Sequence, residues 1–478
     1  MISQRLSARR FARLLGDWRG DGFGYQELAD SVVLLMRDGA IAPGTSLPAE
    51  RGLAEELGIS RTMVAAAYRM LRESGLALSK QGSGTIVRAP RRADLDAADA
   101  AGSAAIDLST ACPEPWPGME ALAAQSLHAA PGLFAQSGFD TIGRPDLRAA
   151  LADRYTRRGL VTTPDQIMVT LGAQHAIHLV ARTLLGRGDR ALIESPSYPH
   201  AREALASTGA LVAELPVWQR EYDAAGMLDI AARVAPRLAY LIPDHHNPTG
   251  QSMPRGLRTR LIAALSASGA HMLVDETTAE LMLGEHRLVE PFAAAAEQPH
   301  QRDAIITVGS LGKTVWGGLR IGWIRATPDL IARLEAARRV GDLGTASWEQ
   351  VAAALALERY DEILDFRTRE LTKRHRVLTE QLAARLPDWR TTAAVGGVCL
   401  WVDIGEHRST ALSREAARRG VRLPPGPRFG SPGMFERFVR LPFSLPETRL
   451  IDAVAVLGEA REAAPSTRTE PIEMDAVI

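Results

Sequence analysis

Lys313 lies in the sequence SLGKTVWGGLR, which runs from Ser310 to Arg320. The neighbouring hydroxyl, glycines and arginine suit a phosphate group, and a lysine amine can form a Schiff base with an aldehyde. Pyridoxal 5'-phosphate carries both a phosphate and an aldehyde. The segment therefore predicts that the chain binds pyridoxal phosphate and that Lys313 is the residue that forms the Schiff base.

Short apolar runs alternate with helical segments from Ile106 onward, and this pattern must position the lysine. It predicts an α/β fold with a mostly parallel central sheet. Ligands bind such sheets at the carboxyl ends of the strands, so residues that follow the runs are candidates for a site. The candidates that follow apolar runs are Gly172, Ser195, Asn247, Asp275 and Lys313. We therefore expect five strand ends to converge on one site.

Three candidates suit the ring of the cofactor. Asp275 can pair with the pyridine nitrogen and keep it protonated, which maintains the ring as an electron sink. Asn247, in an Asn-Pro-Thr-Gly sequence, can donate a hydrogen bond to the phenolic oxygen. Tyr198 can stack on the ring face.

Five residues suit the phosphate. Gly172, Ala173 and Gln174 form a predicted strand-to-helix turn, whose backbone N–H groups and helix N-terminus attract an anion. Ser310 and Arg320 complete the predicted phosphate site, since a guanidinium can donate two parallel hydrogen bonds.

Each of these residues taken singly has a commoner explanation. A lone lysine or aspartate is usually solvent-exposed, an Asn-Pro-Thr-Gly sequence is usually a turn, and a tyrosine beside prolines usually packs. The series Asn247, Asp275, Lys313 and Arg320, with gaps of 28, 38 and 7 residues, is much harder to obtain by chance.

The composition excludes several classes of protein. A length of 478 residues with 46% hydrophobic and 23% charged residues is typical of a globular chain with two or three domains. Cys112 and Cys399 lack the paired spacing of a disulfide framework or a zinc site, so no metal is expected. No apolar stretch approaches the roughly 18 residues of a membrane span, and no signal peptide is evident. We expect a cytoplasmic protein that does not bind membranes.

The charge is distributed unevenly. Residues 1–92 hold 14 Lys and Arg against 9 Asp and Glu, which gives +5, whereas the remaining residues hold 42 against 47, which gives −5. A basic excess of this size is about as often a solvated face as a DNA-binding one, so it supports DNA binding only where a motif coincides.

Such a motif is predicted within residues 1–88. Helical spacing of apolar residues predicts a helix over Tyr25 to Arg37, a second from Leu47 to Leu57, and a third that starts at the N-cap Ser60 and ends at Gly75. The second and third form a helix-turn-helix. Segments 76–80 and 85–87 flank a glycine-rich turn and predict a β-hairpin, which would be a wing.

The third helix of a winged helix enters the major groove by its N-terminal end. The expected DNA-binding residues are Arg51, Ser60, Arg61, Thr62, Lys80 and Gly82. Of these, Arg61 and Thr62 are the expected base readers, and Arg51 and Lys80 are expected to meet phosphates. A small helical packing domain with incidental arginines would give the same pattern.

The chain resembles two known families, and the first resemblance favours DNA binding. The sequence LPAERGLAEELGISR at 47–61, followed by Gly82-Ser83-Gly84-Thr85, closely resembles the winged helix of GntR-superfamily regulators. From about Ile106 to about Leu457, the ordered series that ends in Lys313 and Arg320 resembles fold type I aminotransferases of class I and II. Together the chain resembles the MocR-type regulators of the GntR superfamily.

The resemblance implies both partners and domain organisation. It implies double-stranded DNA, a head-to-tail homodimer, and an amino-acid or amine effector whose binding alters the DNA contacts. Arg440 falls where these aminotransferases bind the substrate carboxylate. We expect a winged helix over 1–88, a linker over 89–105, an aminotransferase-like domain with a smaller C-terminal α+β subdomain over 106–460, and a disordered tail over 461–478.

Three positions depart from the aminotransferase pattern. Thr278 and Phe139 stand where tyrosines are common, and Gly312 replaces a serine that often precedes the lysine. Each lost hydrogen bond weakens cofactor binding or catalytic tuning by about 1 kcal/mol. A transcriptional regulator with little transaminase activity is therefore expected. A working aminotransferase with an added DNA-binding domain, or a DNA-binding dimer whose large domain carries no cofactor, are the alternatives.

Overall fold

The computed structural model describes residues 5–16, 18, 24–37, 40–80, 84–88, 106–135, 137–217, 221–431 and 433–464. The predicted linker at 89–105, Gly82, the side chain of Lys80 and most of the predicted tail lie outside the described residues. Among the helices that are described, none is both long and apolar enough to cross a membrane.

The amino-terminal module is a winged helix-turn-helix with one extra helix in front. Its elements are α1 (Ala8–Leu15), α2 (Gly24–Arg37), α3 (Glu50–Leu57), α4 (Arg61–Glu73), β1 (Ala77–Lys80) and β2 (Gly84–Val87). The third predicted helix starts where expected, because the Ser60 hydroxyl accepts a hydrogen bond from the Met63 N–H at 3.2 Å. Helix α3 begins at Glu50, later than predicted, because the backbone of the N-cap residue Ala49 is extended.

The module has its own hydrophobic core. Leu28, Val32, Leu53, Val64 and Tyr68 are buried at its centre. Helix α1 also contributes to this core, although sequence reasoning did not predict it. Arginines dominate its exposed side, and only the spacing of the two buried residues in the helix indicates an inward face.

The large part starts at β3 (Ile106–Asp107) and continues into a seven-stranded sheet. The strands of this sheet are β4 (Ile167–Thr170), β5 (Arg190–Ser195), β6 (Leu211–Pro216), β7 (Leu238–Leu241), β8 (His271–Asp275), β9 (Ile305–Ser310) and β10 (Gly322–Arg325). Their order is β4-β10-β9-β8-β7-β5-β6, and only β10 is antiparallel to its neighbours. The predicted α/β class with a mostly parallel sheet is confirmed.

Helices cover this sheet, and for this reason the sequences of its strands are continuous apolar runs. Strands β4, β7 and β9 are buried at every position, as expected for a parallel sheet covered on both faces. The helices of this part are α5 (Met119–Ala129), α6 (Pro145–Arg157), α7 (Ala173–Leu184), α8 (Pro199–Ser207), α9 (Ala224–Val234), α10 (Arg255–Ala267), α11 (Pro299–Asp303), α12 (Pro328–Arg338) and α13 (Ser347–Glu358).

A smaller C-terminal α+β unit follows. Its elements are α14 (Tyr360–Arg385), β11 (Arg390–Thr391), β12 (Cys399–Asp403), α15 (Ser409–Arg418), β13 (Val421–Arg422), β14 (Phe438–Pro442) and α16 (Glu447–Ala463). Strands β11, β12 and β14 form an antiparallel sheet, and β13 pairs with β3 from the start of the large part.

The last helix extends past the boundary at residue 460 that the sequence suggested. Helix α16 continues through Ala463, Arg461 forms an ion pair with Asp388 at 2.8 Å, and Ala464 is buried. The ordered chain therefore reaches at least residue 464, because these contacts stabilise the last turn.

Candidate functional site

A cavity of about 360 Å³ opens at the carboxyl edge of the central sheet. The predicted site residues that line it are Ala173, Gln174, Tyr198, Asn247, Asp275, Ser310, Lys313, Arg320 and Arg440. Gly172 lies directly behind it as the N-cap residue of α7. Ser195 is buried and does not line the cavity, whereas Tyr198, three residues later, does.

The charges around the cavity are strongly unbalanced. Asp275 is its single carboxylate among the described residues, whereas Lys313, Arg320 and Arg440 are cations. Within the described part of the chain, the Lys313 amine has no hydrogen-bond or ion-pair partner, and neither arginine pairs with a carboxylate. The cavity therefore favours a ligand with more than one negative charge, and its volume suits a small molecule.

Asp275 is held in place from two directions. It ends β8 and is buried, its Oδ2 accepts a hydrogen bond from the Tyr240 hydroxyl at 2.8 Å, and its Oδ1 accepts one from the Thr277 N–H at 2.9 Å. Burial and the neighbouring Asp275 carboxylate raise the pKa of Tyr240 well above its ordinary value, so the phenol remains a donor. A carboxylate fixed in this way can pair with a protonated pyridine nitrogen.

The phosphate end is built from the start of α7 and one arginine. Arg320 donates from Nη2 to the Leu171 carbonyl at 2.8 Å, and a Cβ on Gly172 would lie 2.9 Å from the same nitrogen. The first N–H groups of α7 have no partner within the helix, as at any helix start. Together they form a cationic cradle that suits a phosphate.

The Ser310 hydroxyl, which the sequence predicts to bind the phosphate, already has two hydrogen-bond partners. Its hydroxyl donates to the Ile321 carbonyl at 3.2 Å and accepts from the Gly312 N–H at 3.0 Å. Ser310 therefore ties the lysine loop to the strand that follows it. A hydrogen bond from this hydroxyl to a phosphate would have to replace the one to Ile321.

Asn247 and Tyr198 also line the cavity. The Asn247 side chain accepts a weak hydrogen bond from the Cys399 thiol at 3.9 Å, which leaves its amide N–H groups free to donate. Burial, together with the nearby Asp275, raises the pKa of Tyr198 to about 12. Thr278 faces the cavity but donates to the Asp244 carbonyl at 3.3 Å, so it does not supply the hydroxyl that a tyrosine would.

Arg440 is a buried cation that forms no ion pair with a carboxylate among the described residues. Its guanidinium donates to the Leu108 and Ser109 carbonyls and lies 5.1 Å from the ring centre of Phe429, and its Nε is buried without any partner in the described part of the chain. Burial lowers the pKa of Arg440. Burying a cation this way is costly, and an anionic ligand would offset that cost.

Sequence reasoning missed several residues of the cavity. Segment 109–112 lines it because β3 pairs with β13, a contact across more than 300 residues for which no local pattern exists. Sequence reasoning also did not single out Tyr240, the residue that donates a hydrogen bond to Asp275. A tyrosine within the buried apolar strand β7 was a usable signal, because a buried phenol needs a hydrogen-bond partner.

The predicted DNA-reading end of α4 is exposed. The side chain of Arg61 is 73% exposed and lies 3.4 Å from Glu50, and Thr62 is exposed beside it. Arg51, which is 84% exposed, lies 3.0 Å from Glu55. Such surface ion pairs contribute about 0–1 kcal/mol, so phosphates can replace them.

Comparisons with known proteins match both parts of the chain. Residues 119–457 match the family Aminotransferase class I and II, and residues 24–87 match Bacterial regulatory proteins, gntR family. The 2-aminoadipate transaminase of Thermus thermophilus is 30% identical over 324 residues, which cover 67% of this chain and 80% of that protein. The HTH-type transcriptional regulator TauR of Rhodobacter capsulatus is 27% identical over 480 residues, which cover 89% and 93%.

A solved structure agrees with the fold. The alpha-aminoadipate aminotransferase LysN of Thermus thermophilus, complexed with N-(5'-phosphopyridoxyl)-L-leucine, has a TM-score of 0.67 at 26% identity. The alignment covers 77% of this chain and 95% of that one. The unpaired cations, the oriented carboxylate and the helix start described above fit pyridoxal phosphate.

Proposed function

Because this chain belongs to the class I and II aminotransferase family and carries a gntR-family DNA-binding domain, as MocR-type regulators do, we propose that it senses an amino-acid or amine effector through pyridoxal phosphate and alters transcription in response. One observation carries the sensing part of this proposal. In the described part of the chain, Arg440 is a buried cation without an acidic partner, and it lines the same cavity as Lys313, whose amine has no partner there. A ligand with a carboxylate and an amine complements both.

Different residues bind different parts of the cofactor and of the effector. Bound pyridoxal phosphate supplies an electron-withdrawing ring and an aldehyde that reacts with amines. Lys313 would hold that aldehyde through its amine, and Asp275 would keep a proton at the ring nitrogen. The start of α7 and Arg320 hold the phosphate, and Arg440 orients the effector carboxylate.

The amino-terminal module supplies the DNA contacts. Arg61 and Thr62 meet base edges in the major groove, Ser60 positions them by capping α4, and Arg51 meets a phosphate. Lys80 and Gly82 contribute from the wing. The exposure of Arg51, Arg61 and Thr62 supports these roles.

A head-to-tail homodimer is part of the proposal. Phe139 is 71% exposed, Val340 84% and Leu343 55%, and Phe139 and Leu343 directly precede Asp140 and Gly344, whose backbones form a bridge. A cluster of exposed large apolar side chains is typical of an interface. Two copies would present two winged helices to a two-fold operator.

The proposal is tested on cofactor-loaded protein by two measurements. Amino acids and amines are titrated while the visible absorbance of the cofactor is followed, and the affinity for DNA upstream of its own gene is measured at fixed salt with and without each compound. We expect some amino acid to change both. Identical DNA affinity in all states, including cofactor-free protein, would refute the proposal.

Lys313→Ala provides the matched variant. Borohydride should fix the cofactor to the wild-type chain and not to Lys313→Ala. Lys373→Ala is the control, because Lys373 is exposed, pairs with Glu447 and does not line the cavity. Labelling that persists in Lys313→Ala would contradict the assignment of this lysine.

A second candidate function is transamination. The free Lys313 amine and the oriented Asp275 are the groups that such catalysis needs, and a transaminase is among the similar proteins. The hydroxyl of Thr278, directed to Asp244, argues against efficient turnover. Steady conversion of an amino donor and a 2-oxo acid, abolished in Lys313→Ala, would favour this alternative.

A further inference from the structure

Helix α15 of the C-terminal unit contacts the winged-helix module. This helix packs against α16 on one side and α2 on the other. Arg414 on α15 is only 5% exposed, and its Nη1 donates to the Trp18 carbonyl at 2.6 Å and to the Ser31 hydroxyl at 3.3 Å. One turn later, Arg418 forms an ion pair with Asp30 at 2.7 Å. Two arginines of one helix therefore anchor α2 and the segment before it.

The first turn of α15 is fixed by one glutamate. Glu436 accepts hydrogen bonds from the Ser409 hydroxyl at 3.1 Å and from the Thr410 N–H and hydroxyl at 3.0 and 2.6 Å. The same carboxylate touches the winged-helix module, since a Cβ on Gly16 would lie 2.6 Å from Glu436 Oε1. Glu436 thus contacts both the start of α15 and the end of α1.

Two routes connect Arg440 to the start of α15. Glu436 stands four residues before Arg440 on the segment that leads into β14. The second route starts at Phe429, whose ring lies 5.1 Å from the Arg440 guanidinium and which ends a short 3-10 helix over Gly426–Phe429. The first residue of that helix donates its N–H to the Ser409 hydroxyl at 3.2 Å. Both routes end at the start of α15.

We propose that α15 relays occupancy of the Arg440 site to the winged helix, with Arg414 and Arg418 as positioning residues. This inference rests on the proposed function. A carboxylate that binds Arg440 neutralises a buried charge, which shifts the balance between alternative positions of Phe429 and of the segment before β14. Residues 409–416 of α15 are all buried, so the helix moves as one body and carries Arg414 with it.

The test uses full-length protein and two probes. Pyridoxal phosphate fills the cofactor site alone, whereas its reduced adduct with L-alanine, N-(5'-phosphopyridoxyl)-L-alanine, also presents a carboxylate to Arg440. The ratio of DNA dissociation constants in the two states measures the coupling. We expect a ratio that differs from unity by about five-fold or more for the wild type, and a ratio of about 1 for Arg414→Ala. Affinity for the adduct itself should stay within about two-fold, since Arg414 does not line the cavity.

Arg419→Ala is the matched control. Arg419 is the C-cap residue of the same helix and pairs with Glu415, and no contact between it and the winged-helix module occurs in the described part of the chain. It should keep the wild-type ratio. Asp30→Asn removes the partner of Arg418 from the other side of the interface and should reduce the ratio even if Arg414→Ala proves unstable.

Hydrogen exchange in α2 distinguishes the relay from mere loss of stability. The adduct should change exchange across α2 in the wild type and in Arg419→Ala, and not in Arg414→Ala. A wild type that binds the adduct but shows no DNA response refutes the proposed function. A wild-type response that persists undiminished in folded Arg414→Ala and in Asp30→Asn refutes the relay alone.

Discussion

The hydroxyl of Tyr240, in the middle of β7, donates a hydrogen bond to Oδ2 of Asp275 at the end of the adjacent strand β8, at 2.8 Å. Tyr240 is fully buried, and the Thr277 N–H occupies the other carboxylate oxygen. The aspartate is thereby oriented both by a neighbouring strand of the sheet and by the loop that follows β8. Cofactor binding should therefore depend on a residue that does not touch the cofactor.

We predict that Tyr240→Phe weakens binding of pyridoxal phosphate by about five- to ten-fold, because one hydrogen bond to Asp275 contributes roughly 1 kcal/mol. An absorbance titration of cofactor-free protein measures this. Tyr222→Phe is the control, since the Tyr222 hydroxyl is buried and has no partner in the described part of the chain. Removal of that hydroxyl should leave cofactor affinity unchanged. Equal losses of cofactor affinity in both variants would mean that the hydrogen bond from Tyr240 to Asp275 does not contribute to cofactor binding.

The ends of the strands explain why so much of this site could be predicted from the sequence. Asp275 and Lys313 directly follow buried apolar runs, and the carboxyl ends of parallel strands share one edge of a sheet. Residues that follow parallel strands in the sequence can therefore be predicted to lie close together, even when side-chain packing is unknown. The winged helix was predictable for a similar reason, because Ser60 and the apolar spacing of α4 act within a few residues.

Contacts between distant parts of the chain gave no such signal. Arg414 and Trp18 are 396 residues apart, and β3 contributes a two-residue strand that pairs with Val421 and Arg422. Neither contact has a periodic pattern, and nothing local distinguishes Arg414 from its exposed neighbour Arg418. Their environments arise only when α15 packs against α2, which depends on the shape of the whole molecule.

Gly172 should be irreplaceable for a reason separate from its backbone conformation. Its φ is +88°, and a Cβ there would lie 2.9 Å from Arg320 Nη2. We predict that Gly172→Ala displaces Arg320 and lowers cofactor affinity, in addition to about 1–3 kcal/mol of lost stability from a backbone conformation, φ +88° and ψ 170°, that is essentially restricted to glycine. Cofactor titration and urea unfolding measure the two effects.

Gly188→Ala separates these effects. The φ of Gly188 is +87°, and nothing lies within 4 Å of the position of its Cβ. This variant should also lose stability, because its φ is positive, and should keep wild-type cofactor affinity. If Gly172→Ala bound the cofactor as well as Gly188→Ala, the steric argument at Arg320 would be wrong.

The arginines of the winged helix should differ in what they recognise. Arg61→Ala should relax sequence preference and cost about 1–3 kcal/mol on the specific site, because a base contact is lost. Arg51→Ala should weaken binding to all sequences alike and reduce the slope of log affinity against log salt by about 1. Fluorescence anisotropy over a salt series measures both. Arg376→Ala, at an exposed position of α14 outside the winged-helix module, is the control and should change neither quantity.

Acid should destabilise the protein from about pH 6.5 downward. Burial is the first cause that lowers the pKa values of His175, His245, His271 and His375 below the ordinary 6.5. As the pH falls through 6.5, the unfolded chain takes up protons that the folded chain does not, so the free energy of unfolding decreases. The urea midpoint should therefore be lower at about pH 5.5 than at about pH 7.5.

His375→Phe isolates one part of this pH dependence. His375 contacts the Phe443 ring edge-on at 5.2 Å between centroids, and the pKa of His375 is lowered by burial alone. A phenylalanine fills the same space and cannot take a proton, so the difference in urea midpoint between the two pH values should shrink. His128→Gln, at an exposed position of α5, should leave the difference unchanged. A difference that stays the same in His375→Phe would mean that this histidine is protonated equally in the folded and unfolded chains, because only a difference in bound protons makes stability depend on pH.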